Sequence, residues 1–356
     1  MIKGGGCDEQ SPPKKTKGVN MFITSGNETV TPFGVLKPFY VYELSSDFIN
    51  RLNSDNKRCM EISAKPELIN KKYFAGCVKN GDNIIIKRLG GAGDVIWTLP
   101  VARQLKKLYP DCKITYWIAE HHFDLVKNNP YIDGVMSNPT IKQLDPFNWI
   151  LDYYESIERY NPAENEEAYD LHWKWAFNEE PKDDLMGNIF LTETEIKDAE
   201  NVFGKNYIVV SMSSSNPKRT YFQMPIVIEK LIEEHNCNII VTGQGSFNVP
   251  EKPKIKNMIN KLNLRELLAI INNAKLVIAA DSGNIHFAGQ LGVKTIGLYS
   301  TAHATTRTKY YKNLEYIQSC EWCAPCLKLA EPCAKDGECL SRINTDTVVN
   351  LIGEAL

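Results

Sequence analysis

Residues 82 to 300 alternate between short apolar segments and amphipathic segments, and this rhythm constrains the fold more than any other feature. A first set contains "NIIIKRL", "DVIWTLPVARQLKKLYP", "KITYWIA" and "YIDGVM". A second set begins near residue 206 with "YIVVSMS", continues through "QMPIVIEKLIEEHN" and ends on "KTIGLYS". Strands that alternate with helices form parallel sheets, because a parallel connection needs a crossover. The pattern therefore predicts an α/β protein with two doubly wound halves.

The boundaries of these halves follow from changes in composition. Residues 1–18 are polar and rich in Gly, Pro and Lys, which predicts a disordered tail. Residues 19–80 predict a small N-terminal extension or subdomain, with strands at "MFITSG" and "KPFYVYEL" and a short helix at "SDFINRLNSD". Residues 81–195 and 196–356 are the two predicted domains. Two such domains bind a ligand in the cleft at the carboxyl ends of their strands.

The net charge and the hydropathy pattern limit the kinds of partner and the compartment that we expect. The net charge of −2 offers no broad basic field, so we expect no nucleic-acid partner. No apolar run reaches the ~18 residues of a membrane span, and the N-terminus lacks the apolar stretch of a signal peptide. We therefore expect a cytoplasmic protein with no membrane span. The sequence leaves the oligomeric state open, a homo-oligomer included.

The stretch "GGAGDV" is an incomplete dinucleotide fingerprint. Gly91 and Gly93 supply its first two glycines, but the third position falls on Ile96, and the Lys-Ser/Thr of a phosphate loop is also absent. What remains is a turn that places Asp94 at or beside a helix start. Asp is a favoured N-cap, worth about 1 kcal/mol. A capping role and a catalytic role for Asp94 both remain open at this point.

The stretch "VIAADSGNIHFAGQLGV" predicts a strand that ends at Asp281 and a helix that begins near Gly283. Free N–H groups at such a helix start suit a phosphate, and His286 lies one turn into the helix. The simpler alternative is that Asp281 or Ser282 caps the helix and His286 packs in the core. "DSG" lacks the flanking glycines of a serine nucleophile elbow.

The loop "SSSNPKRTYFQMP" follows the first strand of the second half. Lys218 and Arg219 lie in it, where a cation can meet a phosphate. A solvated basic pair is the alternative.

Five of the ten cysteines lie between Cys320 and Cys339. In a chain without a secretory signature, this clustering favours thiolate metal ligation over disulfides. Four thiolates make a closed, structural site. The expected ligands are Cys323, Cys326, Cys333 and Cys339, with Cys320 as a substitute. Zinc is the default metal and iron is compatible; uncoordinated thiols or a disulfide pair are the alternative.

Taken together, these stretches resemble the heptosyltransferase-like enzymes of glycosyltransferase family 9. "RLGGAGDVIWTLPVARQLKKLYP" and "NNPYIDGVM" resemble their first strand, turn and helix, and "LRELLAIINNAKLVIAADSGNIHFAGQLGVKTIGLYS" resembles their donor-domain core. The cysteine run followed by "INTDTVVNLI" is similar to the tail of many members. The bacterial autotransporter heptosyltransferases, with an iron-holding cysteine finger and an added N-terminal domain, are a closer candidate branch. The resemblance covers about residues 82 to 356.

This resemblance implies a GT-B fold, in which two Rossmann-like domains face a cleft, with an acceptor domain at 81–195 and a donor domain at 196–356. It implies an inverting transfer without a catalytic metal, from a nucleotide sugar, with ADP-heptose expected, to a hydroxyl of a glycan or protein. Asp94 would be the general base, beside the Gly91 and Gly93 turn. The remaining carried-over residues bind the donor: Lys218, Ser282, Gly283 and His286 at the diphosphate, and Asp281 at the sugar.

One departure and two alternatives remain. The family has Lys followed closely by Trp-Pro, whereas "RTYFQMP" follows Lys218, so either Lys218 or Arg219 could contact the phosphate. A nicotinamide-dependent oxidoreductase would find its acid at Glu120 but lacks the third glycine. The second alternative is a non-catalytic, metal-stapled subunit that binds a nucleotide sugar or organises an assembly. In that case, replacing Asp94 would leave any turnover of a nucleotide sugar unchanged.

Overall fold

The computed structural model describes residues 74–153, 156–159, 166–182, 184–214, 216–326 and 338–356, together with the backbone of four strands within 19–45. The predicted tail at 1–18, the predicted helix at "SDFINRLNSD" and Cys333 lie outside the described residues.

A six-stranded sheet forms the first domain, in the order β4-β1-β8-β5-β6-β7. The described strands of the N-terminal half are β1 Val19–Ile23, β2 Thr29–Thr31, β3 Gly34–Leu36, β4 Val41–Ser45, β5 Asn83–Lys87, β6 Lys113–Trp117, β7 Gly134–Met136 and β8 Trp149–Asp152. All neighbours in the sheet are parallel except β1 and β4. β2 and β3 form a separate antiparallel pair. The N-terminal extension therefore adds two strands to the first sheet, because β1 pairs with β8.

The helices of the first half begin with the one that follows the glycine turn. They are α1 Ala92–Ile96, α2 Leu99–Leu108, α3 Phe123–Val126, α4 Ile141–Leu144, α5 Ser156–Arg159 and α6 Ala168–Phe177, with 3₁₀ turns at Ala75–Cys77 and Glu120–His122. The segment "DVIWTLPVARQLKKLYP", whose helical spacing predicts one continuous helix, is instead divided in the structure between α1 and α2. Pro100 explains the break, since proline has no N–H and its ring clashes with the carbonyl four residues earlier.

The second domain contains six parallel strands in the order β11-β10-β9-β12-β13-β14. Its strands are β9 Tyr207–Ser211, β10 Asn238–Thr242, β11 Ile255–Asn257, β12 Leu276–Ala280, β13 Thr295–Tyr299 and β14 Leu314–Gln318. Its helices are α7 Glu193–Phe203, α8 Met224–His235, α9 Leu264–Asn272, α10 Gly283–Leu291, α11 Thr305–Thr308, α12 Glu338–Ser341 and α13 Thr345–Ala355, with a 3₁₀ turn at Pro217–Arg219.

The central strands of this sheet are apolar because they are covered on both faces. β9, β12 and β13 are buried along their whole length, as expected of a doubly wound parallel sheet. The two predicted halves are thus two parallel-strand sheets with helices around them. Within the described residues, every helix is too short or too polar to cross a lipid bilayer.

Buried polar contacts join the two halves. Arg265 on α9 forms an ion pair with Glu195 at 2.7 Å and donates to the carbonyl of Asp124 in the first domain at 3.0 Å. The backbone N–H of Asn188 donates to Gln290 on α10 at 2.9 Å. These contacts join the second domain to segments that precede it in the chain.

Candidate functional site

The loop after β5 holds a paired carboxylate. Asp94 is the third residue of α1, and Gly91 is the N-cap. One oxygen of Asp94 accepts from Nη2 of Arg88 at 2.5 Å, and the other accepts from the N–H of Gly91 at 2.6 Å. Arg88 is fully buried, whereas the Asp94 side chain keeps 21% of its exposure. Because a carboxylate oxygen offers more than one lone pair, Asp94 can still accept a hydrogen bond from the cleft.

Two glycines of this turn permit two different close approaches. A Cβ added to Gly90 would lie 2.7 Å from Oδ2 of Asp94, so only glycine lets the loop close on the carboxylate. A Cβ added to Gly93 would lie 2.7 Å from Cδ2 of His286 in the other domain. The turn therefore positions Asp94 and also brings α1 against α10.

His122 supports the same turn from behind. Its Nε2 lies 3.1 Å from the carbonyl oxygen of Gly90, and its ring packs on His121 with centroids 4.1 Å apart. Burial, followed by the neighbouring His121, lowers the pKa of His122 below its usual value. No sequence motif marked this histidine, although its place after β6 puts it at the same sheet edge as Asp94.

The second half of the site follows β12. Asp281 forms an ion pair with Arg219 at 3.4 Å. Ser282 holds the N-cap position of α10, but its hydroxyl makes no capping bond. That oxygen is buried and has no hydrogen-bond partner among the described residues. Buried polar groups are normally paired, so the Ser282 hydroxyl and the open N–H groups of this helix start form a site suited to an anion.

Direct contacts join the two halves. The ring of Trp97, which ends α1, meets the ring of His286 edge-on at 5.0 Å. A Cβ added to Gly283 would lie 3.5 Å from Cβ of Ala92. The structure therefore brings the predicted residues Asp94, Asp281, Ser282, Gly283 and His286 to one place, as the sequence predicts for a cleft at the strand ends.

His286 combines burial with a position at the cleft. It is 4% exposed, and burial lowers its pKa to about 4, with Arg307 and Arg219 acting in the same direction and Asp281 opposing them. The ring is therefore neutral at pH 7. His286 is thus packed in the interior with its ring edge against Gly93, and its role at a phosphate stays a prediction.

The structure distinguishes the two candidate cations of the polar loop. Lys218 and Arg219 share a 3₁₀ turn capped by the side chain of Asn216. The Arg219 guanidinium reaches Asp281 beside the start of α10, while Lys218 is half-buried and its carbonyl lies 3.4 Å from the Ser300 hydroxyl. The Arg219 guanidinium thus lies beside the start of α10, and both cations stay candidates for a phosphate contact.

Sequence reasoning missed Arg307. This side chain is 8% exposed and lies 5.6 Å over the ring of Trp97. Among the described residues it donates to its neighbour Thr306 and to no other. No carboxylate of the described residues forms an ion pair with it. Arg307 follows β13 by a few residues, so the rule that ligands bind at the carboxyl ends of parallel strands was the available signal.

A buried serine–histidine pair lies close by. The Ser156 hydroxyl is 2.9 Å from Nε2 of His172, and Nδ1 of His172 is 2.6 Å from the carbonyl of Ala168. Both residues are fully buried, and burial lowers the pKa of His172 to about 3. Without solvent access, this pair holds α6 in place and is not placed to attack a substrate.

The described cysteines of the C-terminal cluster differ in their exposure. Cys320 is exposed, Cys323 and Cys326 are half-buried and Cys339 is buried, and these four form no disulfide with one another. Within the part of the chain that the structure describes, no three metal-ligating side chains lie together. The described thiols thus do not complete a metal site by themselves, and Cys333 lies outside them.

Comparison with known proteins places this architecture. The family model for glycosyltransferase family 9 (heptosyltransferase) matches residues 168–335. Over these residues, slightly less than half of the chain, the protein is similar to the heptosyltransferase-like proteins of glycosyltransferase family 9. The match contains α10 and Arg307 but begins after the glycine turn that carries Asp94.

A curated relative agrees with this family. The lipopolysaccharide core heptosyltransferase OpsX of Haemophilus influenzae is 27% identical over 151 residues. That alignment covers 39% of this chain and 43% of OpsX, so the chain spans less than half the length of this relative.

Solved structures share the fold. A glycosyltransferase family 9 protein from Veillonella parvula superimposes with a TM-score of 0.63 at 16% identity, over 78% of this chain and 98% of that one. E. coli ADP-heptose lps heptosyltransferase II gives 0.60 at 13%, over 77% and 98%. The iron-containing dodecameric glycosyltransferase TibC from enterotoxigenic E. coli gives 0.59 at 13%, over 82% of each chain. These likenesses establish the two-domain α/β fold of the GT-B heptosyltransferases.

Proposed function

We propose that this chain is an inverting glycosyltransferase that moves a heptose-like sugar from ADP-heptose to a hydroxyl of a glycan or protein acceptor. One observation carries the proposal: an oriented carboxylate on one domain faces anion-binding groups on the other, across the contact of Gly93 with His286. The names of the relatives, which include an ADP-heptose heptosyltransferase, favour this donor.

The carboxylate is the acceptor side of the proposed reaction. Asp94 is held by Arg88 and by the N–H of Gly91, so its orientation is set before an acceptor arrives. The acceptor hydroxyl attacks the anomeric carbon from the face opposite the diphosphate, and its proton passes to Asp94. A positioned base of this kind contributes about 10²- to 10⁴-fold to a rate.

The second domain receives the leaving group. As the bond from the anomeric carbon to the diphosphate breaks, its electron pair stays on the nucleotide diphosphate. Negative charge on that group is stabilised by the helix N-terminus and by the cations near it, for which Lys218, Arg219 and Arg307 are the candidates. The Ser282 hydroxyl and the neutral His286 ring donate hydrogen bonds, and Gly283 lets the phosphate approach. Asp281 then orients the donor sugar. On this proposal no catalytic metal takes part.

Replacement of Asp94 tests the mechanism. We expect Asp94→Asn to lower ADP release from ADP-heptose in the presence of acceptor by about 10²- to 10⁴-fold, while the dissociation constant of the donor stays unchanged. The matched control is Asp198→Asn, which changes an exposed acid on α7. Equal turnover by Asp94→Asn and wild type would refute the mechanism and favour a non-catalytic nucleotide-sugar-binding subunit.

The cysteine cluster has a separate, structural part in the proposal. Cys323, Cys326, Cys333 and Cys339, with Cys320 as a substitute, would hold one metal ion through thiolates, which suit zinc and iron. The similarity to an iron-containing glycosyltransferase favours iron. No step of sugar transfer involves this metal.

Elemental analysis of the purified full chain tests this part. We expect close to one iron or zinc per chain, lost in Cys326→Ser and kept in Cys112→Ser, which alters a buried thiol in the first domain. A folded, metal-free wild type would overturn the assignment.

A further inference from the structure

A chain of buried hydrogen bonds runs from the link between the domains to His286. We infer that this chain fixes the tautomer of His286, so that Nδ1 accepts from Tyr311 and the proton sits on Nε2 at the cleft. Tyr311 is then a positioning residue for the donor site. The role of that Nε2–H in transfer rests on the proposed function, whereas the tautomer itself does not.

The hydrogen bonds of Gln290 set the donor-to-acceptor direction of the whole series. The backbone N–H of Asn188 is 2.9 Å from Oε1 of Gln290, and a backbone N–H can only donate. Nε2 of Gln290 is 3.3 Å from the carbonyl oxygen of Leu185, which can only accept. Both contacts assign the same amide orientation, so the nitrogen of Gln290 is the donor to whatever follows.

The same donor-to-acceptor direction holds for the next three hydrogen bonds. Nε2 of Gln290 donates to the Tyr169 hydroxyl at 2.7 Å. The single proton of Tyr169 then goes to the Tyr311 hydroxyl at 3.1 Å, and the single proton of Tyr311 goes to Nδ1 of His286 at 2.8 Å. Nδ1 is therefore an acceptor, and a neutral ring carries its proton on Nε2.

The opposite direction would leave a buried group unpaired. If Nδ1 donated to Tyr311, then Tyr311 would donate to Tyr169, which already accepts from Gln290. The Tyr169 proton would have no acceptor among the described residues. An unsatisfied buried donor costs about 1–3 kcal/mol, and all four side chains are between 1% and 6% exposed, so solvent offers little compensation.

Packing keeps the members of the chain in place. A Cβ added to Gly289 would lie 2.5 Å from the Tyr311 ring, so the ring rests directly on α10. On the other side of His286, its Nε2 would lie 3.0 Å from a Cβ at Gly93 and makes no hydrogen bond to a described residue. The Nε2–H is therefore a donor held at the edge where the two domains meet.

The test is nitrogen NMR of the full chain labelled with ¹⁵N-histidine. His286→Gln assigns the His286 signals among the six histidines. We expect a pyridine-like Nδ1 and a protonated, pyrrole-like Nε2 in the wild type at pH 7. Tyr311→Phe removes the donor, so the Nδ1 signal shifts; Tyr169→Phe cuts the series of hydrogen bonds before Tyr311, so the preference for a protonated Nε2 should weaken.

The matched control is Tyr207→Phe, which removes another buried hydroxyl, bonded to the carbonyl of Ile270, and should leave the His286 signals unchanged. A pyrrole-like Nδ1 in the wild type would overturn the inference, as would an unchanged Nδ1 in folded Tyr311→Phe. Because the NMR measurement needs no substrate, its result is independent of whether the protein transfers a sugar. If transfer is measured, Tyr311→Phe should raise the KM for the donor more than it lowers kcat.

Discussion

The two sides of the cleft differ in how their polar groups are satisfied. On the first domain, both oxygens of Asp94 are already held, by Arg88 and by Gly91. On the second domain, the Ser282 hydroxyl is buried without a partner among the described residues, and Arg307 forms no ion pair with any of them. Buried charges and donors of this kind are costly unless a partner arrives. Asp94 is thus satisfied by the protein itself, whereas the groups of the second side would be satisfied by the anionic ligand of the proposed function.

Asp94→Asn distinguishes the roles of the two sides most clearly, and its expected effect on turnover is the largest of these predictions. It should affect turnover alone, because the donor-binding groups belong to the other domain. A parallel loss of donor affinity would show that the two sides are one unit.

Arg307→Gln should do the reverse. Loss of a charge-assisted contact costs about 1.5–3 kcal/mol, so we expect ADP binding to weaken by about 10- to 150-fold, with a flatter dependence on salt. Isothermal titration of ADP measures this. Lys312→Gln changes an exposed cation on the same segment and serves as the control. Unchanged ADP affinity in Arg307→Gln would show that this guanidinium belongs to the packing around Trp97.

Gly93→Ala tests whether the sides must touch. The new Cβ would collide with His286, and overpacking of this kind costs about 1–3 kcal/mol. We expect a lower melting temperature together with weaker turnover. Gly134→Ala, whose Cβ would lie 3.3 Å from the Thr115 hydroxyl, is the control. Wild-type turnover in Gly93→Ala would mean that the domains need not be this close during transfer.

A pH experiment concerns the helix that carries Tyr169. Burial, followed by the charge of Asp170, raises the pKa of Glu167 to about 8 from 4.5. The folded state therefore binds this proton more tightly, so the stability it contributes is lost as pH rises from 4.5 to 8, by at most about 1.4 kcal/mol per pH unit.

Urea unfolding of wild type and Glu167→Gln at pH 5, 6.5 and 8 measures this contribution. The free energy of unfolding of the wild type should fall relative to Glu167→Gln as pH rises. The exposed Glu193→Gln should follow the wild type at every pH. Parallel curves for wild type and Glu167→Gln would contradict the raised pKa.

Much of the fold was readable from the sequence because each buried strand, such as "YIVVS" or "LVIAA", is apolar throughout and bounded by polar turns. The break between α1 and α2 was missed because helical spacing continues across Pro100. The site was predicted where strand ends carry unusual residues, as at Asp94 and Asp281. Arg307 was missed because its segment, "TAHATTRTKYY", has no local pattern that marks a ligand.

The sequence by itself determined the two doubly wound halves and the short motifs at their strand ends, because hydrophobic period and glycine turns are local properties. Only the tertiary structure decided that Gly93 faces His286, that the Ser282 hydroxyl has no partner among the described residues, and that Asn188, Gln290, Tyr169 and Tyr311 form one line to His286. Most of these contacts join residues more than a hundred positions apart, and they depend on how the two domains pack.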